Sequence, residues 1–310
     1  MKKISILVPT YNEEENVVPL AEAIVSQMAE LSEYDYELIF IDNDSKDGTR
    51  GLIRDLCSGN DRIRAIFNAK NYGQFNSPFY GILQATGDCV ITMCADFQDP
   101  VEMIPKYVRA WEEGYKIVLG QKTSSKESRI IYRARKFYYW FMHKYSSINY
   151  LEQVTGSGLY DREFIEQMRG LDDSRPFLRG IVAELGYNIK LIPYEQPKRR
   201  AGKSSNNIFS YYDGAVQSVT AYTKVGVRLS VIVGSLMTVS SLGLIVASSI
   251  YKLLNWDTYS WTGSILELLI LFAVSLNICF IGIVGEYVLD VNNRLKKRPL
   301  VVESERINFR

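Results

Sequence analysis

The sequence predicts an α/β protein: a Rossmann-like, mostly parallel sheet, followed by interfacial helices and a hairpin of two transmembrane helices. Three observations carry this. Between residues 4 and 119, short apolar runs alternate with stretches of helical period, the pattern of strands joined by crossover helices. Polar clusters rich in carboxylates directly follow several of those runs. Charge, near balance overall, is absent from one long stretch near the C-terminus and reduced to a single residue in a second.

Taken in order, strands are predicted at residues 4–8, 37–41, 63–67, 89–93 and 117–119, and helices at 16–31, 48–57, 75–85 and 102–113. Residues 4–8 are an apolar run stopped by Pro9 and too short for a signal-peptide core, so they read as a first buried strand. Over 16–31, Val17, Leu20, Ile24, Met28 and Leu31 share one helical face. The helix at 102–113 starts after the break at Pro100. Such sheets bind ligands beyond the carboxyl ends of their strands. Three polar clusters fall there: Thr10-Tyr11-Asn12-Glu13, Asp42-Asn43-Asp44 and Asp96-Phe97-Gln98-Asp99.

The 310 residues are enough for about two structural units. With 36 Lys plus Arg against 35 Asp plus Glu, the net charge of +1 excludes a generally basic nucleic-acid binder. The four cysteines form no CxxC pair and the chain has one histidine, His143, so a zinc site is not expected.

Residues 229–251 are 23 positions without a charge, and 258–285 are 28 positions with one, Glu267. The first run is about 34 Å long as a helix, against a hydrocarbon core of about 30 Å. Spans are therefore predicted at 229–251 and 264–286 within a region 227–290, after a domain 1–205 and an interfacial helix 206–226, with a tail 291–310. Lys224 and Arg228 precede the hairpin, and Arg294, Lys296, Lys297 and Arg298 follow it. The positive-inside rule then puts both ends in the cytoplasm, making this a multi-pass protein of the plasma (inner) membrane with a cytoplasmic catalytic domain. Residues 126–146 interleave basic and aromatic side chains, which suits a headgroup layer and also an ordinary docking helix. A two-helix hairpin packs poorly alone, which leaves a homo-oligomer open.

Three segments carry chemistry. The 42–49 loop can accept hydrogen bonds from a base or ribose, although Asp47 and Thr49 also read as helix caps. After the strand at 89–93, Asp96, Gln98 and Asp99 offer hard oxygen ligands for Mg²⁺ or Mn²⁺. Arg199-Arg200-Ala201-Gly202-Lys203-Ser204 is a basic loop able to clamp phosphates, or else a solvated charge run.

Val8-Pro9-Thr10-Tyr11-Asn12-Glu13-Glu14-Glu15-Asn16, the Asp42 loop, Gly87-Asp88 before Asp96-Phe97-Gln98-Asp99-Pro100, Arg199-x-x-Gly202-x-Ser204 and the terminal hairpin occur in one order. Together they resemble the glycosyltransferase family 2 polyprenyl-phosphate glycosyltransferases, of the bactoprenol glucosyltransferase type, with dolichyl-phosphate mannose synthase a relative. The resemblance implies a GT-A fold and inverting transfer of a hexose, UDP-glucose first among donors, to undecaprenyl phosphate. It implies that Pro9, Tyr11 and Glu13 line the nucleotide site and that Asp42 and Asp44 hold base or ribose. Asp96 and Gln98 would hold metal and diphosphate, while Arg199, Lys203 and Ser204 close over the donor. Lys122 and Arg135 would meet the acceptor phosphate, with Asp96, Asp99 and Glu152 as the catalytic carboxylates.

The sequence departs from the family twice. Cys94 stands where the family often has the first carboxylate of Asp-Ala-Asp, and the Glu152–Arg162 segment lacks a clearly alignable Asp, Glu152 being the nearest carboxylate. The second departure is softened by chemistry: a phosphate monoester has a second pKa around 6, so near pH 7 it is mostly dianionic and needs no strong base. Two other readings stay open. An enzyme extending a polysaccharide or glycolipid would show a polymeric product; a nucleotide-sugar-binding scaffold would bind donor without turnover.

Overall fold

The computed structural model describes residues 1–123, 129–146, 148, 151–171, 173, 176–201, 215–216, 218–220, 222–254, 263–295 and 298–309. The first half alternates strand and helix: β1 Lys3–Thr10, α1 Val17–Glu30, β2 Asp35–Asp42, α2 Thr49–Gly59, β3 Ile63–Asn68, α3 Gly73–Gln84, β4 Cys89–Thr92, α4 Met103–Glu112 and β5 Ile117–Lys122. Each predicted strand and helix of this half is present, with ends moved by a few residues at most. Next come α5 Arg129–Tyr145, β6 Val154–Asp161, α6 Arg162–Gly170, α7 Leu178–Glu184 and β7 Ile189–Tyr194. Two long helices follow, α8 Val225–Leu254 and α9 Gly263–Leu295, and then β8 Glu303–Ile307.

All eight strands form one sheet in the order β7-β5-β6-β4-β1-β2-β3-β8. β1 is parallel to β2 and β4, β2 to β3, and β5 to β7. β6 runs antiparallel between β4 and β5, so it begins at the edge where those two strands end. This is the mostly parallel GT-A arrangement that the resemblance implied.

Alternation along the strands divides the core into two layers. Ile4, Ile6, Val8, Leu38 and Phe40 face one side, where Val17, Leu20, Ile24 and Met28 of α1 cover them. Leu7, Ile39 and Ile41 face the other, against Phe79 and Ile82 of α3 and Phe164 and Ile165 of α6. Successive strand side chains point to opposite faces, so a strand buried on both sides reads as one continuous apolar run.

Three differences from the sequence reading stand out. β6 lies in a Gly-Ser-Gly segment that carries no strand signal. There the backbones crowd: a Cβ on Gly158 would lie 2.2 Å from the Val118 carbonyl oxygen. Second, the expected tail 291–310 holds the end of α9 and an edge strand, β8, paired antiparallel with β3. Its alternating charged residues suit an edge, where one face meets water and charge discourages further pairing. Third, among the described residues one segment, Phe272–Asn292, is long and apolar enough to cross a membrane, with mean hydropathy 1.9 and no part of it buried. The sequence predicts two spans; α8 occupies the place of the first, and the apolar part of α9 runs past the predicted end at 286.

Candidate active site

The carboxyl ends of the parallel strands form a single edge that collects Thr10, Asp42, Asn68, Cys94 to Asp99, Lys122 and Tyr194. The start of β6 arrives at the same edge. Its loops carry most of the strained backbone. Of five described non-glycine residues with positive φ, Asn12 (55°), Asp44 (69°), Phe97 (59°) and Gln153 (58°) lie here. Asn and Asp tolerate the left-handed region; a bulky Phe does so at a cost, and such strain concentrates at functional sites.

Two loops are laced together. The Asn12 amide donates to Ser45 Oγ at 2.8 Å and the Lys46 amide donates back to Asn12 Oδ1 at 2.8 Å. Asp42 is fully buried, and its oxygens accept from Arg50 Nε at 2.5 Å, from the Ser45 amide at 3.1 Å and from the Ser45 hydroxyl. Asp44 accepts from Lys46 Nζ at 2.7 Å, with Arg50 Nη2 3.7 Å away.

After β4, Asp96 and Asp99 have different surroundings. Asp99 accepts from the Cys94 amide at 3.0 Å, the Tyr194 hydroxyl at 2.7 Å and the Ser157 hydroxyl. These donors come from the loop after β4, from β6 and from β7, so Asp99 braces the strand ends. Asp96 accepts from the Gln98 amide at 3.1 Å and meets the guanidinium of Arg199, with Nη2 at 2.8 Å and Nε at 3.1 Å from Oδ2. Arg199 Nη2 also lies 3.8 Å from Glu13 Oε1. Burial pushes the Glu13 carboxyl above its usual range, as do the charges of Asp96 and Asp47, against the opposing pull of Asn16 and Arg199. One cation thus bridges the β1 and β4 loops, a charge-assisted contact.

The profile of glycosyl transferase family 2 matches residues 5–168. The chain belongs to glycosyltransferase family 2. A prophage bactoprenol glucosyl transferase homolog of Escherichia coli K12 is 28% identical over 306 residues, 96% of this chain and 97% of that protein. An SfII prophage-derived bactoprenol glucosyl transferase of Shigella flexneri is 29% identical, covering 99% of both chains. Among solved structures, glucosyl-3-phosphoglycerate synthase from Mycobacterium tuberculosis, in complex with Mn²⁺, UDP and phosphoglyceric acid, matches 71% of this chain and 76% of that chain. The match has TM-score 0.46 and 19% identity.

In this family 2 glycosyltransferase the structure brings Glu13, Asp96 and Arg199 into one cluster, with Gln98 beside it. Pro9 and Tyr11 flank the same edge, part-buried. Lys122 closes β5, its amide donating to the Gln153 carbonyl at 3.1 Å. Glu152 stands apart: it is exposed and paired with His143 Nε2 at 3.0 Å. Arg135 lies on α5 with its side chain outside the described residues, as do Lys203, Ser204 and much of the 206–226 segment.

The resemblance implies a divalent metal. Among the described residues no three His, Cys, Asp or Glu side chains form a cage. Of the buried carboxylates at this edge, Asp96 is opposed by the guanidinium of Arg199, with Glu13 nearby. That donor set fits a hard ion that keeps waters and takes further ligands from substrate phosphates. Cys94 is exposed, its Sγ 3.9 Å from Ser157 Oγ.

Four residues of this edge were not singled out from sequence. Asn16 is 1% exposed and donates from Nδ2 to Glu13 Oε2 at 2.6 Å and to the Ala201 carbonyl at 3.4 Å. It sits at the end of the Asn-Glu-Glu-Glu-Asn run, which was a usable signal. Arg50 directly follows the 42–49 loop and is eight residues from its partner Asp42, while Ser157 and Tyr194 left no signal because their partner Asp99 is 58 and 95 residues away.

Proposed function

We propose that this glycosyltransferase moves a hexose from a nucleotide sugar, UDP-glucose first among donors, to undecaprenyl phosphate at the cytoplasmic face of the membrane, with inversion. The supporting observation is the extent of the likeness. The bactoprenol glucosyl transferase relatives align over 96% and 99% of this chain, through the two long helices as well as the sheet. The family 2 profile by itself stops at residue 168.

In this reading the domain 1–205, completed by β8, holds the donor across the strand ends. Pro9, Tyr11 and Glu13 line the nucleotide, and the Asp42–Asp44 loop shapes the base and ribose side. Asp96, with Gln98, holds Mg²⁺ or Mn²⁺ against the diphosphate, and Arg199, Lys203 and Ser204 close over it. The ion, when bound, neutralises charge on the departing diphosphate. Lys122 and Arg135 receive the acceptor phosphate. That phosphate is mostly dianionic near pH 7, so catalysis rests on in-line positioning and on charge stabilisation. Asp99 serves by bracing the loop that carries Asp96.

The membrane part is read the same way. α8 and α9 form the hairpin, with Phe272–Asn292 as its second span. On α5, Phe137 is 64% and Trp140 51% exposed, with Lys144 Nζ 5.2 Å from the Trp140 ring centroid. Exposed aromatic rings beside ammonium groups suit the headgroup layer.

The test uses the full chain in detergent with undecaprenyl phosphate, Mg²⁺ or Mn²⁺, and a panel of nucleotide sugars, read by mass spectrometry. A lipid-phosphate hexose from one donor supports the proposal and names the sugar. Donor binding without product, with turnover appearing in Cys94→Asp, replaces it with the scaffold reading. A polymeric product replaces it with chain extension.

A further inference from the structure

We propose that Arg199 is an internal stand-in for the divalent cation, so that metal enters this site only together with the diphosphate of the donor. The inference rests on the donor-site reading above and adds an order of binding to it.

The geometry is specific. Arg199 places Nη2 2.8 Å from Asp96 Oδ2 and 3.8 Å from Glu13 Oε1. A single guanidinium therefore stands between two carboxylates, at the oxygen a hard cation would take. It is delivered by the segment after β7, not by a strand, and that segment is docked at three points. The Arg200 amide donates to the Asp96 carbonyl at 3.3 Å, Asn16 Nδ2 donates to the Ala201 carbonyl at 3.4 Å, and the Arg200 guanidinium lies 5.1 Å from the Phe97 ring centroid. None of these three contacts uses the Arg199 side chain, so the guanidinium can exchange partners while they hold the segment in place.

The chemistry follows from charge. Asp96 is 5% exposed, and a carboxylate so placed needs a positive partner. Arg199 supplies one before substrate arrives. A divalent ion alone would have to share Asp96 Oδ2 with the guanidinium, and two cations a few ångström apart beside a carboxylate 5% exposed repel each other. A nucleoside diphosphate changes the balance. Its oxygens are better acceptors for a planar, bidentate guanidinium, so Arg199 exchanges a carboxylate for phosphate and leaves Asp96 to the ion. No bond is made or broken in this exchange. Its consequence is that metal and nucleotide load as a unit, and Asp96 never stands buried and uncompensated.

The experiment titrates Mn²⁺ into the full chain in detergent and follows free Mn²⁺ by electron paramagnetic resonance, with and without UDP. Wild type is expected to bind Mn²⁺ weakly alone and at least about tenfold more tightly with saturating UDP. In Arg199→Gln, Mn²⁺ alone should bind about tenfold more tightly than in wild type, and the gain from UDP should shrink. Arg199→Lys keeps the charge without the planar fork and should fall between. If Arg199→Gln binds Mn²⁺ alone no better than wild type, while UDP still promotes binding in wild type, the stand-in role is overturned and the donor site survives. If wild type binds no UDP under any condition, the donor-site reading fails and takes this proposal with it. Adding Asp96→Asn to Arg199→Gln must abolish the gain; a gain that persists places the ion elsewhere and overturns the proposal.

Discussion

Glu37 and Asp96 are both almost sealed from water, at 1% and 5% exposure, and both meet a guanidinium, but at opposite ends of the parallel strands. Glu37 is surrounded. Lys3 Nζ lies at 2.8 Å, Arg64 Nη1 at 2.6 Å, Ser5 Oγ at 2.5 Å and the Thr86 amide at 2.7 Å. Its partners sit on β1, β3 and the turn before β4, all held by the sheet. Asp96 has one main-chain donor beside it and a cation carried on a loop. A structural charge is saturated by rigid donors, whereas in the proposed reading Asp96 has a partner that can leave.

Mutations can break that comparison. Asp96→Asn is expected to cut hexose transfer by about 10² to 10³-fold while leaving the thermal unfolding midpoint close to wild type. A large fall in the midpoint would put Asp96 in the structural class. Glu37→Ala should do the reverse, because it strands the charges of Lys3 and Arg64. A loss of about 3–5 kcal/mol is expected in denaturant unfolding, with the UDP affinity of the folded protein unchanged.

The same carboxyl predicts a pH dependence. Burial alone would raise its pKa, but hydrogen bonds from Lys3, Ser5 and Thr86 and the charge of Arg64 more than offset this and hold it below the usual range. The folded protein therefore binds this proton less readily than the unfolded chain. The stabilisation is present in full above the ordinary carboxylate range and is lost as pH falls through the folded value. Unfolding midpoints measured downward from pH 6 should drop less steeply in Glu37→Gln than in wild type. An equal slope would remove Glu37 from the acid response.

Asp99→Asn lies between the two classes. An amide nitrogen would face a hydroxyl or main-chain donor in place of one acceptor oxygen, and a stability loss of about 1–3 kcal/mol is expected, with a smaller effect on transfer than Asp96→Asn. The smallest effect belongs to the surface. Arg54 holds Glu305 at 2.7 Å, with side chains 45% and 39% exposed. Solvent screening should limit the cost of Arg54→Ala to less than about 1 kcal/mol.

The sequence showed the parallel half of the sheet because double-sided burial writes each strand as an unbroken apolar run, as in residues 4–8 and 37–41. The carboxylate clusters were legible for a related reason: a polar group directly after such a run must lie at the strand end. What could not be read depends on distant partners. Asp99, before Pro100, also reads as a turn residue in sequence, but only Ser157 and Tyr194, 58 and 95 residues on, make it a brace. The opposition of Arg199 to Asp96 spans 103 residues and had only the basic run around it as a signal. Glu303–Ile307 reads as a charged tail because an edge strand needs no apolar run.

That edge strand also bears on biosynthesis. Ser304 Oγ donates to the Phe67 carbonyl at 3.0 Å across 237 residues of chain, with α8 and α9 between them. The ribosome releases β8 after both long helices, so β3 keeps an open edge through most of translation. Unpaired strand edges invite foreign pairing. The sheet is complete only once β8 has been made, so the last strand of the domain waits on the two long helices that precede it in the chain.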